Sequence, residues 1–481
     1  MELFTQREGI LLIVIYAVII YLATFLFARG HTRSKEGFLV GDRGIGSWQG
    51  SFSIAASWIW APALFLGAQK AYEQGIAGVF WFVAPNVGCL ILFSFFAVRI
   101  RAKMPEGFTL SGFMRETYSK RVQRLYIVQL VGLSTCSFAV QLLAGGSIIS
   151  ALTGLPFIWV TILMAMIALG YSLTSGLKGS VVADYVQMGL ILLIGFTLIP
   201  WVVVKAGGWH TIQNGLGGIS GQYSSLFGTG GTEVFLTFGL STTIGLLSGP
   251  FGDQAFWQRA FSLEQRSIKK TFIRGAVIFA TVPLMMSLLG FVVAGNGIMV
   301  EDTQLTNLQA VITYLPQWTA IPFTIMILCG LVSTLDSCLS AVSSIAGHDL
   351  FSDSKKPNSL ENGLFISRIA MLLLCATALI IANLPHMQIL YLFLFYGTIR
   401  ATTLLPTVIT LLKPNVSEKG VFYGIIASFL VGLPIFAYGN FGHHTAWIVI
   451  GSLASVLLSG VFTLLLPKDV KGEDVQHVKS L

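Results

Sequence analysis

Charge is what this sequence has least of. Lysine, arginine, aspartate and glutamate make up 10% of its 481 residues, against about 25% in an ordinary soluble domain, while 54% are hydrophobic. A chain of this composition cannot cover a water-facing surface, which excludes a soluble globular protein. Cysteine is also sparse. Cys89, Cys136, Cys329, Cys338 and Cys375 each sit inside an apolar run, where a thiol behaves as a small hydrophobe, so no disulfide framework is expected. There is no His/Glu zinc spacing, no Gly-x-Ser-x-Gly elbow and no phosphate-binding glycine loop. These absences argue against an intramembrane enzyme.

What is present is a repeated supply of apolar runs, each of about the 20 residues needed to cross a bilayer as a helix. Thirteen are predicted, at about 9–29, 46–70, 76–98, 123–151, 155–174, 180–204, 235–258, 272–296, 308–349, 363–383, 386–412, 420–438 and 445–466. The ninth is longer than one span and is predicted to begin with a surface helix near Leu305 to Leu315. The first carries no basic flank beyond Arg7 and no small-residue cleavage site, so it reads as a retained helix. The expected class is an all-α membrane protein, one transmembrane domain over 1–467 with a short cytoplasmic tail at 468–481.

Loop charge tests this count, because cytoplasmic loops are enriched in Lys and Arg. One alternating set of connections carries Arg33, Lys35 and Arg43; Arg99 to Arg124; Lys178; Arg259, Arg266, Lys269, Lys270 and Arg274; and Lys355, Lys356, Lys413 and Lys419. The other set holds little beyond Arg7, Lys70 and Lys205. This alternation predicts an N-terminus outside and a C-terminus in the cytoplasm, in an inner or plasma membrane. The net charge of +8 is then a signal of topology and not of nucleic-acid binding.

Two spans are interrupted. The second contains Ser51-Phe-Ser-Ile-Ala-Ala-Ser-Trp-Ile-Trp-Ala-Pro62, and the seventh Gly245-Leu-Leu-Ser-Gly-Pro-Phe-Gly-Asp253. Gly and Pro are frequent in membrane helices generally, but these two breaks lie five spans apart. Spans 2–6 and 7–11, about 46–204 and 235–412, could therefore be two inverted repeats, each opening with a broken helix whose freed carbonyls and helix ends bind ions and solute. The ninth span adds Cys329-Gly-Leu-Val-Ser-Thr-Leu-Asp-Ser-Cys-Leu-Ser-Ala-Val-Ser-Ser344. Its hydroxyls are either interhelical contacts or hard oxygen ligands. Asp336 favours the second, since a carboxylate in mid-membrane costs about 2.5–3.5 kcal/mol and usually pairs or binds something.

Three patterns occur in order: Gly179-Ser-Val-Val-Ala-Asp184-Tyr-Val-Gln187, Asp253-Gln-Ala-Phe-Trp-Gln258-Arg259, and Ser333-Thr334-x-x-Ser337 followed by Ser343-Ser344 and Asp349-Leu350. Together they resemble the sodium/solute symporter family over about residues 9–412. The resemblance implies the 5+5 inverted-repeat core of the bacterial leucine transporter, and secondary active transport with sodium as coupling ion. The family's main sodium site, matched onto this chain, implies Ala56 and Ile59 from the first core helix and Gly330, Ser333 and Thr334 from the eighth. Glycine stands at 330 where alanine is more usual. A second site in some members matches Asp184 and Ser337, with Asp336 between. There the resemblance leaves three roles open: a second sodium, a proton, or an ion pair with a base.

For the solute, the resemblance implies that Asp253 faces it and that Phe256 closes the path inward, with Gln254, Trp257, Trp58 and Trp60 around them and Phe80 and Trp81 as further aromatic walls. The aromatic and Asp-Gln-x-Phe-Trp-Gln-Arg patterns are partly similar to the urea and polyamine branch. Urea, an amine or a related small polar compound is the expected cargo. Arg400 departs from the family pattern. It either pairs with Asp253 or Asp336, or receives a carboxylate or amino-acid-like solute. A passive channel and a membrane-embedded sensor are the readings from other classes.

Overall fold

The computed structural model describes residues 3–27, 34–350, 359–385, 389–442 and 444–466. Arg33, Lys355, Lys356 and the expected tail at 468–481 lie outside the described residues.

Among those residues the chain is helical throughout, with one isolated bridge, Ile45 to Leu263. The helices are α1 (Gln6–Phe27), α2 (Lys35–Val40), α3 (Ser47–Trp58), α4 (Ala61–Lys103), α5 (Leu110–Thr117), α6 (Lys120–Thr153), α7 (Phe157–Lys205), α8 (Trp209–Gly215), α9 (Thr229–Val234), α10 (Leu240–Leu247), α11 (Gln254–Ser262), α12 (Ile268–Gly295), α13 (Thr306–Tyr314) and α14 (Ala320–Ser344). They continue with α15 (Ser359–Ala382), α16 (Ile389–Leu412), α17 (Glu418–Ala427), α18 (Leu433–Phe441) and α19 (Thr445–Leu465). Short π-helical turns join α9 to α10 and α17 to α18.

Eleven helical stretches among the described residues are long and apolar enough to cross a membrane. Two of them are hairpins. At 43 and 49 residues, α4 and α7 would reach about 65 and 75 Å if straight, twice the hydrocarbon thickness of about 30 Å. Each contains one glycine, Gly75 or Gly176, at φ 55° and ψ −149°, a conformation open only to glycine. The chain turns back at both. A Cβ on Gly78 would lie 2.9 Å from the Lys70 carbonyl eight residues earlier, a contact no continuous helix permits. Counting both arms gives the thirteen crossings expected, and α13 is the expected surface helix before α14. The protein is a multi-pass membrane protein.

The helices bury their small faces on one another. α12 runs along α4, and α14 is wedged between α7 and α6. Nearly the whole of α14 is buried, so its hydroxyls and Asp336 face protein, not lipid. The last helices, α17 to α19, pack on α16 at the edge. Large apolar side chains such as Leu193, Phe196, Leu373 and Leu465 stay exposed on the perimeter, as a lipid-facing surface requires.

Candidate ion and solute site

Both interruptions read from the sequence are breaks in the helices. α3 stops at Trp58, Ile59 and Trp60 are extended or irregular, and Pro62, which has no N–H to give, opens α4. In the seventh span α10 ends at Leu247, a 3-10 turn covers Pro250–Gly252, and Asp253 caps α11 by accepting a 2.9 Å hydrogen bond from the Ala255 amide. One helix braces both breaks. On α6, the Gln141 side-chain oxygen accepts from the Ala61 amide at 2.9 Å, and the Gln129 amide donates to the Gly252 carbonyl at 2.9 Å. Sequence reasoning passed over these glutamines. Their signal was there to read, since each is a costly polar residue inside an apolar run.

The five residues assigned by resemblance to the main sodium site come together at the first break. Ser333 Oγ lies 3.1 Å from the Ala56 carbonyl and 2.9 Å from that of Gly330. Thr334 Oγ1 lies 3.2 Å from the Ile59 carbonyl and 3.4 Å from that of Gly330. The irregular backbone at Ile59 is what turns that carbonyl toward α14. Glycine at 330 lets α14 approach closely, because a Cβ there would meet Leu64 at 2.7 Å and Ile59 at 3.0 Å. The product is a buried cluster of uncharged oxygens, the ligand type that hard cations take.

One turn further along α14 the arrangement differs from a simple second ion site. The Asp184 carboxylate accepts from Ser53 at 2.6 Å and pairs with the Arg259 guanidinium at 2.9 Å. The same guanidinium donates to Ser53 and Ser337, each at 2.9 Å, and to the Ala255 carbonyl at 3.0 Å. Of the three roles left open for this cluster, Asp184 takes the ion pair. Among the described residues no base pairs with Asp336. It accepts from Tyr171 at 2.5 Å and Ser180 at 2.7 Å, one from each arm of the α7 hairpin. Arg259 is a correction to the loop-charge reading: it is 1% exposed, inside the protein and not on a connection.

Around the second break, Trp58 stacks edge-on against Phe256 with ring centres 5.1 Å apart, and Trp60 faces Tyr396 at 5.6 Å. Arg400 lies among them, its guanidinium carbon 3.5 Å from the Tyr396 ring centre and 5.7 Å from those of Trp58 and Trp60. Among the described residues no ion pair joins it to Asp253 or Asp336. Two expected solute residues point elsewhere. Gln254 is spent on the Leu110 amide, the Phe108 carbonyl and Ser344, and Trp257 donates to the Phe251 carbonyl at 2.8 Å while packing on Phe93. Phe80 is 40% exposed and sits with Trp81 and Phe235 at the outer edge of α4.

A family profile described as the sodium:solute symporter family matches residues 38–428. The chain belongs to that family. Among curated relatives of this symporter, a urea-proton symporter of Oryza sativa subsp. japonica is 21% identical over 90% of this chain and 66% of its own length. A probable urea active transporter of Schizosaccharomyces pombe is 23% identical over 80% and 62%. The chain thus spans about two thirds of these relatives. A sodium/pantothenate symporter of Haemophilus influenzae is 24% identical over 87% of this chain and 89% of its own. In fold, the symporter superposes with TM-score 0.77 on a substrate-bound, outward-open Na+-coupled sialic acid symporter, at 15% identity over 96% and 98% of the two chains. A nucleobase-cation-symport-1 family transporter in a closed conformation follows at TM-score 0.59 and 14% identity, over 90% and 95%. These relatives and solved structures are all transporters.

Proposed function

We propose that this symporter moves a small, uncharged, hydrogen-bonding solute of the urea type into the cell, driven by one sodium ion held by Ala56, Ile59, Gly330, Ser333 and Thr334. The observation that carries the reading is the convergence of three carbonyls and two hydroxyls across a broken helix and α14. Sodium at that position ties the α3 break to α14, favours an outward-facing state and completes the solute pocket between the two breaks; inward opening then releases both. The basic face, with Arg43, Arg266 and Lys269, is taken as cytoplasmic, in line with the positive-inside rule.

Support for one ion comes from Arg259, whose guanidinium already supplies a positive charge at Asp184. The choice of solute leans on the two urea-transporting relatives. The drive is sufficient. A potential of 100 mV gives about 2.3 kcal/mol per charge, and a tenfold sodium gradient adds about 1.4 kcal/mol. Together they concentrate a neutral solute by roughly 500-fold.

Uptake into proteoliposomes tests this. Urea accumulation should follow an imposed inward sodium gradient and should vanish in Ser333→Ala/Thr334→Ala. Accumulation that ignores sodium, or that follows a proton gradient alone, would overturn the ion assignment, and equilibration without accumulation would point to a passive channel.

A further inference from the structure

Arg400 is a charge buried at 1% exposure in a position that structure alone does not require. Its guanidinium is enclosed by Tyr396, Trp58 and Trp60, and aromatic faces satisfy its charge but not its N–H groups. Among the described residues Nε and Nη1 have no hydrogen-bond partner, and neither does the Trp58 indole nitrogen. A buried donor left unmade is costly. These three donors sit at the break of the seventh span. A Cβ on Gly249 would lie 2.7 Å from Arg400 Nη1 and 2.3 Å from the Trp58 ring, and one on Gly252 would lie 2.6 Å from Arg400 Cβ. The glycines of the break are therefore what admits the arginine. The residue after Gly252 is Asp253, which is partly accessible and uses one oxygen to cap α11. Beside Arg400 and Trp60 lies a cavity of about 60 Å³. One water needs about 10–15 Å³ of such space, so the cavity has room for about four to six heavy atoms.

We propose that Arg400 is the residue that selects the solute, donating to a carbonyl oxygen from one of its two unpartnered groups, Nε or Nη1, while Asp253 accepts the N–H groups on the other side of the same small planar molecule. This deepens the function proposed above and rests on it. Arg400 lines the cavity and Asp253 follows the glycines against which Arg400 packs; one positive and one negative group at the same break sum to zero, so the pocket favours a neutral solute carrying an acceptor and donors together: urea or a primary amide. A carboxylate meets Asp253, and a cation meets Arg400. Both are disfavoured by like charge in a dry site. The aromatic walls supply flat surfaces on either side.

Urea and guanidinium provide the test, since they have nearly the same shape and differ by a carbonyl against a charged C–NH2 group. Labelled urea uptake by the full chain in proteoliposomes is measured with unlabelled urea, acetamide, guanidinium or acetate as competitor. In the wild type, urea and acetamide should compete, while guanidinium and acetate should not. Arg400→Gln should raise the KM for urea about 10- to 100-fold, the loss of a charged hydrogen bond, and should become sensitive to guanidinium. Asp253→Asn should become sensitive to acetate. A merely structural arginine would not exchange one selectivity for the other. Sodium-dependent thermal stabilisation should survive in both variants, and if Arg400→Gln loses it through misfolding, Arg400→Lys decides: it should weaken urea and still exclude guanidinium. An unchanged KM and competitor profile in Arg400→Gln, guanidinium competing in the wild type, or no competition by urea would each overturn the proposal. Uptake that ignores sodium yet keeps the competitor pattern would remove the sodium reading alone.

Discussion

The Arg259 guanidinium stands 2.9 Å from the Asp184 carboxylate, and neither side chain reaches solvent. The pair joins α11, the second half of a broken helix, to α7, with Ser53 of α3 and Ser337 of α14 on the same guanidinium. Four elements thus share one charge. Removing either partner leaves an uncompensated buried ion, which costs about 3–5 kcal/mol. Arg259→Gln and Asp184→Asn should each lower the melting temperature in detergent sharply, whereas the double variant should recover much of the loss. A double-mutant cycle on thermal stability measures the coupling.

The same pair bears on stoichiometry. If Arg259 acts as the cation at Asp184, the symporter carries one sodium per solute. The solute gradient at which net flux reverses should then match one ion, near 500-fold for 100 mV and a tenfold sodium gradient. A reversal near the square of that value would show a second sodium displacing the arginine.

How far the sequence reveals such features depends on the physics behind each. Span positions were legible because apolar length is imposed by the bilayer, and the breaks because Pro62 and Gly249-Pro250 cannot continue a ladder. The hydroxyls of Ser333 and Thr334 were legible because polar groups in an apolar helix need a reason. Arg259 was not: an arginine at the end of an apolar run looks the same whether it caps the span or turns inward. Gln254 and Trp257 failed for a related cause. Proximity to Asp253 along the chain says little when a helix rotates about 100° per residue, and only Phe256 of that stretch faces Trp58. The partnership of Gln141 and Gln129 with the two breaks spans 80 and 123 positions, which no local pattern encodes.

Gly176 offers a test of the hairpin. Its φ of 55° and ψ of −149° are accessible to glycine alone, and a Cβ would fall 2.4 Å from the Phe38 carbonyl. Gly176→Ala should cost at least about 1–3 kcal/mol from backbone strain, more with the clash, and the loss should appear as reduced folded yield and melting temperature. Gly189→Ala, at a position with nothing within 4 Å of a Cβ, is the matched control and should be neutral.

The basic face is closed by Arg43. Its guanidinium donates to the Gly107 carbonyl at 2.8 Å, the Glu106 carbonyl at 2.8 Å and the Phe261 carbonyl at 3.2 Å, and it pairs with Glu36 at 2.5 Å. One side chain therefore ties the segment before α3 to the end of α11 and to the connection between α4 and α5. These ties must break for that face to open. Arg43→Ala should shift the equilibrium toward the form open on the basic face, so that a cysteine introduced at Ser337 reacts faster with a membrane-impermeant thiol reagent added from that side. An unchanged labelling rate would mean that the tie does not gate the path.

Gly249 tests the packing of the second break. Its backbone, at φ −49° and ψ −72°, is α-like directly before Pro250, and a proline ring crowds the Cβ of the residue that precedes it in that conformation. Alanine therefore adds strain there as well as volume. The added methyl would enter the space shared by the Trp58 ring and Arg400 Nη1, 2.3 and 2.7 Å away, and would lie 2.9 Å from the Leu246 carbonyl. The two side-chain ends can yield by moving into the solute pocket, but the backbone carbonyl cannot. Gly249→Ala should therefore lower the melting temperature and, in the protein that folds, raise the KM for urea severalfold. Gly252→Ala should also lose on both counts, because its Cβ meets the Cα of Arg400 at 2.8 Å, and backbone cannot yield as a side chain can.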